Sequence, residues 1–371
     1  MKFKILLALS LCAAFFMHSG CSNKVEVIGI WKDIPVVYGV MNFQDTVTYV
    51  RIERAYLPPN QSALEVAQIP DSIYFDTADI DVTLDYIFQG DTLPWPTPVE
   101  RVELSAEGIN REPGIFAHNP SYAYKILGNT SLPLILTINN KKTGKKYTSS
   151  TEGVSADASN AALFTSPAYF LTPFKPIEWR RISQQGDTVY GALTVELTTG
   201  FAAIYDYNFR FHYTEYEIDG QGNPIVGTEV AKSLVWRAAA DFIPAQANQT
   251  KQVIGGEAFY LFLKRSLSDV TGTNIRRCPG HLEVYVDGAS TSLRDYILAR
   301  QANEGFVGGL YPADPYSNIV GGYGVFARAD RIERKDRPGD PRLMRMSQMT
   351  YDFLSEGPHT AQLGFTSVPC F

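Results

Sequence analysis

The sequence predicts a mainly β protein, with an N-terminal antiparallel β-sandwich of immunoglobulin-like type followed by a β-rich α+β domain that carries two short helices. The first observation is that aromatic residues make up 12% of the 371 residues, including 21 Tyr and 21 Phe, and such side chains favour strands. The second is that short alternating apolar runs recur between Gly, Pro and Asn clusters, which is typical of strands joined by turns. The third is that 45% of the residues are hydrophobic and only 19% are charged, so a large core is expected.

The first domain is predicted over residues 35–152. Its strands are expected at 35–41, 46–54, 79–86, 99–105, 122–127, 132–138 and 145–149. The clearest alternation is at 79–86, where Ile80, Val82 and Leu84 share one face. A short helix is expected at 62–68, because a serine followed three residues later by a glutamate forms a capping box. Many short strands in one stretch of this length predict an antiparallel sandwich.

The second domain is predicted over residues 163–371, after a Ser- and Ala-rich boundary at 153–162. Its strands are expected at 189–198, 205–218, 229–238 and 281–286, and its two helices at 257–267 and 290–303. In the second of these strands every other residue from Tyr205 to Tyr213 is aromatic. We expect this row to lie in the sheet core, although an exposed platform for stacking carbohydrates has the same pattern.

The N-terminus predicts a lipoprotein signal peptide at residues 1–20. A basic start, an apolar stretch too short to span a bilayer and a small-residue site lead to Cys21. Cys21 is the expected lipid attachment, and residues 21–34 are a tether. Because His18 stands where an aliphatic residue is usual, an ordinary secretory cleavage near Ser19 or Gly20 is the alternative, which leaves Cys21 a free thiol. Ser22 favours the outer membrane, facing either the periplasm or the cell surface.

Two cysteines remain to form a disulfide. Cys12 lies in the leader and Cys21 is expected to carry lipid. Cys278 and Cys370 are therefore the only pair for an oxidising compartment, and we expect a bridge between them. Two buried free thiols are the alternative.

Several classes of site are not indicated by the sequence. The net charge of −6 does not predict nucleic-acid binding. His118, His212, His281 and His359 stand far apart along the chain, without the Cys or carboxylate spacing that a metal requires, so no metal site is expected. No stretch of the sequence matches a catalytic or cofactor motif, so neither of those sites is expected. The glycines at 321–324 lack the residues that follow a phosphate-binding loop. They are expected to serve turns and close backbone approach.

Trp95 is the one residue that indicates a binding surface. It lies between Pro94 and Pro96 in a predicted loop, and an exposed aromatic ring on a rigid turn can stack on a sugar or anchor a partner. The alternative is that the indole folds back onto its own domain.

Three segments carry a resemblance to a known family. They are YSNIVGGYGVF at 316–326, PVVYG at 35–39 and LGF at 363–365. Together with the leader, they resemble a family of uncharacterised Bacteroidetes outer-membrane lipoproteins that carry a domain of unknown function, often encoded near outer-membrane transporters. The resemblance implies a β-rich envelope protein and supplies no catalytic residues.

These observations predict a non-enzymatic, envelope-anchored lipoprotein that is a binding or accessory component of an outer-membrane system. Its expected partners are the membrane, through the N-terminal lipid, and a transporter, a glycan or a peptide. One alternative is a hydrolase that processes glycans or peptides, which needs two carboxylates in a cleft. Another is a structural or fimbrial-type anchor, which needs an open edge strand.

Overall fold

The computed structural model describes residues 34–55, 62–154, 163–166, 176–197, 201–238, 243–244, 250–304, 315–333, 346–367 and 370. The structure is mainly β, with 45% strand and 17% helix, and this confirms the predicted class. The predicted leader at 1–20, Cys21 and the tether as far as residue 33 lie outside the described residues.

The first region forms two antiparallel sheets. Its strands are β1 (Pro35–Asn42), β2 (Val47–Arg54), β3 (Ile80–Phe88), β4 (Asp91–Pro94), β5 (Glu100–Glu103), β6 (Tyr122–Leu127), β7 (Leu134–Asn140) and β8 (Lys145–Thr151). The strand order is β1-β2-β6-β5 in one sheet and β4-β3-β7-β8 in the other. This matches the A-B-E-D and C′-C-F-G arrangement of immunoglobulin-like sandwiches.

Inward-facing side chains of the two sheets form one core. Alternate residues of each strand supply it, as period-2 patterning requires. The first sheet contributes Val37, Val50, Ile52, Tyr124 and Ile126, and the second contributes Ile80, Leu84, Leu134, Leu136, Ile138 and Tyr147. The predicted sandwich is thereby confirmed.

The helix predicted at 62–68 is shorter than expected. Two one-turn helices, α1 (Ala63–Val66) and α2 (Pro70–Ile73), lie between β2 and β3. Ser62 occupies the N-cap position of α1, but its side chain makes no capping hydrogen bond. The expected capping box therefore does not form.

The second region contains ten further strands and three further helices within the described residues. The strands are β9 (Leu163–Ser166), β10 (Arg180–Ile182), β11 (Thr188–Tyr190), β12 (Ala192–Leu197), β13 (Ile204–Glu217), β14 (Val230–Arg237), β15 (Ile243–Pro244), β16 (Thr250–Gly255), β17 (Ile275–Ala289) and β18 (Tyr323–Glu333). The helices are α3 (Gly256–Ser266), α4 (Thr291–Glu304) and α5 (Gln348–Glu356). The predicted helices correspond to α3 and α4. The sequence did not predict α5, whose N-terminus is capped by Ser347.

The aromatic row of β13 lies in the core of this region. The side chains of Tyr205, Tyr207, Phe209 and Phe211 have no solvent exposure, and Tyr213 is buried. Trp179 packs against this row and stacks on Phe259 of α3, with ring centroids 5.6 Å apart. The row is therefore sheet core, and it is not an exposed stacking platform.

One sheet runs through both regions. Its order is β14-β13-β17-β18-β1-β2-β6-β5, with a parallel pairing between β18 and β1. The stretch at 153–162 therefore separates two lengths of chain that share a sheet. Gly324 pairs with Val37 in this contact and has a φ of +98°, so a glycine at this position serves close backbone approach, as predicted.

Candidate functional site

Trp95 closes one side of the sandwich just after β4. Its amide donates to the carbonyl of Leu84 at 2.9 Å. The indole Nε1 donates to the carbonyl of Leu127 at 3.0 Å, and the ring meets Tyr86 edge-on at 6.2 Å between centroids. The side chain is half-buried. Trp95 thus packs against its own domain and still presents part of its ring to solvent.

A cavity of about 340 Å³ opens beside this ring. We call it the Trp95 groove. Its lining residues are Tyr86, Trp95, Pro96, Thr97, Leu127, Gly128, Asn129 and Thr130. The lining combines two aromatic rings with hydroxyl and amide groups, and none of these side chains carries a charge. Such a surface suits a neutral ligand with both apolar and hydrogen-bonding faces.

The loop at 128–133, between β6 and β7, forms one wall of the groove. Hydrogen bonds from one of its side chains attach it to the turn between β1 and β2. Asn129 Nδ2 donates to the carbonyls of Phe43 and Asp45, at 2.6 and 2.9 Å. Thr97 Oγ1 donates to the carbonyl of Leu127 at 3.2 Å. These bonds engage side chains of the lining itself, so the groove is held in shape without a ligand.

Arg328 of β18 ties the same loop to the second region. Its guanidinium donates to the carbonyl of Leu132 at 3.0 Å and to that of Thr130. The side chain is completely buried. Burial lowers the pKa of Arg328 to about 10, although the neighbouring Asp330 opposes the shift, so the guanidinium remains charged at neutral pH. A charged donor makes stronger bonds to these carbonyls than a neutral one.

A second cavity, of about 670 Å³, lies beside α2. Three aspartates (Asp71, Asp76 and Asp79) and three cations (Arg54, Arg101 and Lys142) are among its lining residues. Arg101 lies 4.1 Å from the ring centroid of Tyr122 and donates to the carbonyl of Phe75 at 2.7 Å. Asp79 pairs with Lys142 at 3.7 Å. The lining of this cavity therefore carries equal numbers of positive and negative side chains. The contacts of Arg101 and the Asp79–Lys142 pair stabilise the fold around it.

A cluster of two histidines and one glutamate forms between two paired strands. His212 of β13 and His281 of β17 stack with ring centroids 4.4 Å apart, and Glu283 lies beside both. Two of the four histidines are therefore distant in the chain but adjacent in space, because β13 pairs antiparallel with β17 and places Arg210 opposite Glu283. A signal was present in the sequence, since His281 and Glu283 are two residues apart and share a strand face.

The carboxyl of Glu283 is held in its ionised form. Burial disfavours the charge, but the His212 imidazole and the Arg210 guanidinium outweigh burial and keep the pKa of Glu283 below its usual range. Arg210 Nη1 lies 2.7 Å from Oε2 of Glu283. One carboxylate oxygen is thus occupied by an arginine, while the other faces the histidines.

Cys278 and Cys370 are joined by a disulfide, with Cα atoms 5.8 Å apart, in agreement with the predicted pairing. The segment before Cys370 is also held without it. Thr366 donates its amide to the carbonyl of Arg277 at 3.0 Å, and Phe365 packs into the aromatic core. The bridge therefore joins β17 to a stretch of chain in which residues 365 and 366 are already docked.

No protein-family model and no curated protein matches the chain. The resemblance to Bacteroidetes lipoproteins stays a prediction. Among the helices that the structure describes, none has the length and apolar character needed to cross a membrane.

Proposed function

We propose that the protein is a lipid-anchored component of the outer membrane that binds a neutral saccharide in the Trp95 groove. The observation that carries this proposal is the pairing of two aromatic rings, Tyr86 and Trp95, with an uncharged polar rim. Sugar rings present apolar C–H faces and a belt of hydroxyls. They match a lining in which aromatic faces supply contact area. Thr97 and Asn129 donate to the backbone and keep oxygen acceptors, and Thr130 adds a hydroxyl.

The size of the groove supports the same ligand class. A volume of about 340 Å³ lies at the lower end of typical small-molecule sites, which span roughly 300–1,000 Å³. A short stretch of a glycan fits such a space. A peptide is the weaker candidate, because the lining has no charged group to select its termini or its charged side chains.

The proposed location in the outer membrane rests on the leader and Cys21. Two or three acyl chains on one N-terminal cysteine hold a protein firmly on a membrane. The described part of the chain is then a folded binding domain outside the bilayer. Replacement of Cys21 by alanine is expected to move the protein from the membrane fraction to the soluble fraction of the cell envelope. A variant that stays with the membrane would exclude the lipid anchor.

A glycan array tests the binding role. The full chain, purified in detergent, is compared with Trp95→Ala and with a matched control, Phe88→Ala. Phe88 is 46% exposed on the neighbouring strand β3 and is not part of the groove lining. We expect wild type and F88A to bind the same neutral glycans, and W95A to lose them while keeping the wild-type circular dichroism spectrum.

Two results would argue against this function. Equal glycan binding by W95A and wild type would place the site elsewhere. Binding of no neutral glycan by a folded wild-type protein would reject the saccharide. Release of shorter products from a bound glycan would support the hydrolase alternative instead.

A further inference from the structure

We propose that His212, His281 and Glu283 bind one divalent transition-metal ion of the zinc class. This His-Glu cluster lies on β13 and β17, on the polar face opposite the aromatic core. It is separate from the Trp95 groove in residues and in chemistry. Two imidazoles and one carboxylate are a recognised ligand set for zinc, and they leave a fourth position for water or a further ligand.

The spacing of the donor atoms is close to what zinc requires. One imidazole nitrogen from each histidine and one oxygen of Glu283 lie within 4.8 Å of one another. His212 Nε2 is 3.2 Å and His281 Nε2 is 3.9 Å from Glu283 Oε1. Metal bonds of roughly 2.0–2.1 Å in a tetrahedron place ligand atoms about 3.3 Å apart. The pair of His212 and Glu283 already has this separation.

His281 is the ligand that has to adjust. Its stacked ring is tilted by only 16° from that of His212, so the two nitrogens converge on one ion only if a ring turns. The side chain of His281 is 51% exposed, so its χ angles can change on the solvent side of the sheet. The required movement is therefore a rotamer change of a surface histidine.

His212 is positioned as a ligand by the backbone. The register of β13 against β17 shifts between Phe211 and Tyr213, and His212 lies at this irregularity. Its Nε2 atom is shielded from solvent and makes no hydrogen bond within the described structure, although Oε1 of Glu283 is 3.2 Å away. The two atoms are close enough to bind one ion together.

Arg210 orients the carboxylate. It holds Oε2 of Glu283 at 2.7 Å, and this leaves Oε1 directed at the two histidines. Partners of this kind fix the orientation of the side chains that bind the metal, and their removal commonly changes metal affinity by about 10–100-fold.

Metal titration tests the site. The full chain is purified in detergent without a histidine tag, treated with a chelator and titrated with Co²⁺, followed by absorption spectroscopy, and with Zn²⁺, followed by calorimetry. We expect one ion per chain. His281→Gln is expected to weaken zinc binding at least about 10-fold, and so is Glu283→Gln. His118→Gln, at an exposed histidine outside the cluster, is expected to bind as wild type.

Two outcomes would overturn the proposal. One is a wild-type protein that binds no more metal than the H281Q variant. The other is a Co²⁺ spectrum dominated by sulfur charge-transfer bands, which would assign the metal to a cysteine. Since H281Q changes an exposed side chain, circular dichroism is expected to show an intact fold in either case.

Discussion

Replacement of Gly324 by alanine tests the contact that joins the two regions. Gly324 of β18 pairs with Val37 of β1, within a parallel ladder of seven residue pairs from Val36↔Tyr323 to Asn42↔Ala329. A Cβ atom at this position falls 2.0 Å from the carbonyl oxygen of Val37 and 2.9 Å from its carbonyl carbon. Both atoms belong to the backbone, so no side-chain rotation relieves the clash.

Two costs add in this variant. A residue other than glycine at a φ of +98° carries strain of about 1–3 kcal/mol. The strands must also move apart, and each ladder hydrogen bond lost costs about 1 kcal/mol. With two bonds broken, the free energy of unfolding falls by about 3–5 kcal/mol. This is a large part of the 5–15 kcal/mol, roughly, that stabilises a typical domain.

Urea unfolding, followed by circular dichroism, measures the effect. The matched control is Gly220→Ala, because a Cβ there meets no atom within 4 Å and the backbone needs no positive φ. G220A is expected to unfold at or slightly above the wild-type midpoint. If G324A unfolded at the same urea concentration as G220A, the close approach of β18 to β1 would be wrong.

Two further predictions concern the same stability measurement. The double variant Cys278→Ser/Cys370→Ser removes a bridge between residues 92 positions apart. Because the unfolded chain gains entropy without the bridge, the free energy of unfolding is expected to fall by about 4–5 kcal/mol. An unchanged urea midpoint would show that the bridge contributes nothing. Burial opposes the charge of Glu215, but Lys232 at 2.7 Å and Arg277 at 3.2 Å hold the pKa of this carboxyl below its usual value of 4.5. Its ionised form therefore adds stability above about pH 4.5, and that contribution is lost as the pH falls through the lowered pKa. Glu215→Gln is expected to be less stable than wild type at pH 7, and the difference is expected to shrink below pH 4.5; a difference that stays constant over this range would refute the ion pairing.

Much of the fold could be predicted from strand periodicity. The run from Ile80 to Tyr86 alternates, and its alternate residues Ile80 and Leu84 are buried as expected. The aromatic row of β13 was assigned to the core on the same argument, because each aromatic residue is followed by a more polar one. Local patterns of this kind report which face of a strand is buried.

Long-range pairing could not be predicted in this way. The parallel contact of β1 with β18 joins residues nearly three hundred positions apart, and no local pattern specifies such a partner. The same limit explains the His-Glu cluster, because His212 and Glu283 meet only through the pairing of β13 with β17. Trp95 was identified from its flanking prolines, whereas the wall of its groove at 128–133 comes from a loop to which the sequence analysis gave no role and whose last two residues it placed in the strand predicted at 132–138.

The most direct test of the Trp95 groove is ¹⁹F NMR on protein that contains 5-fluorotryptophan at its four tryptophans. The Trp95 resonance is assigned by its loss in Trp95→Phe. A saturating neutral glycan identified on the array is expected to shift this resonance and to leave that of Trp179, which has no solvent exposure, unchanged. A bound glycan that leaves the Trp95 resonance in place would contradict the proposed site.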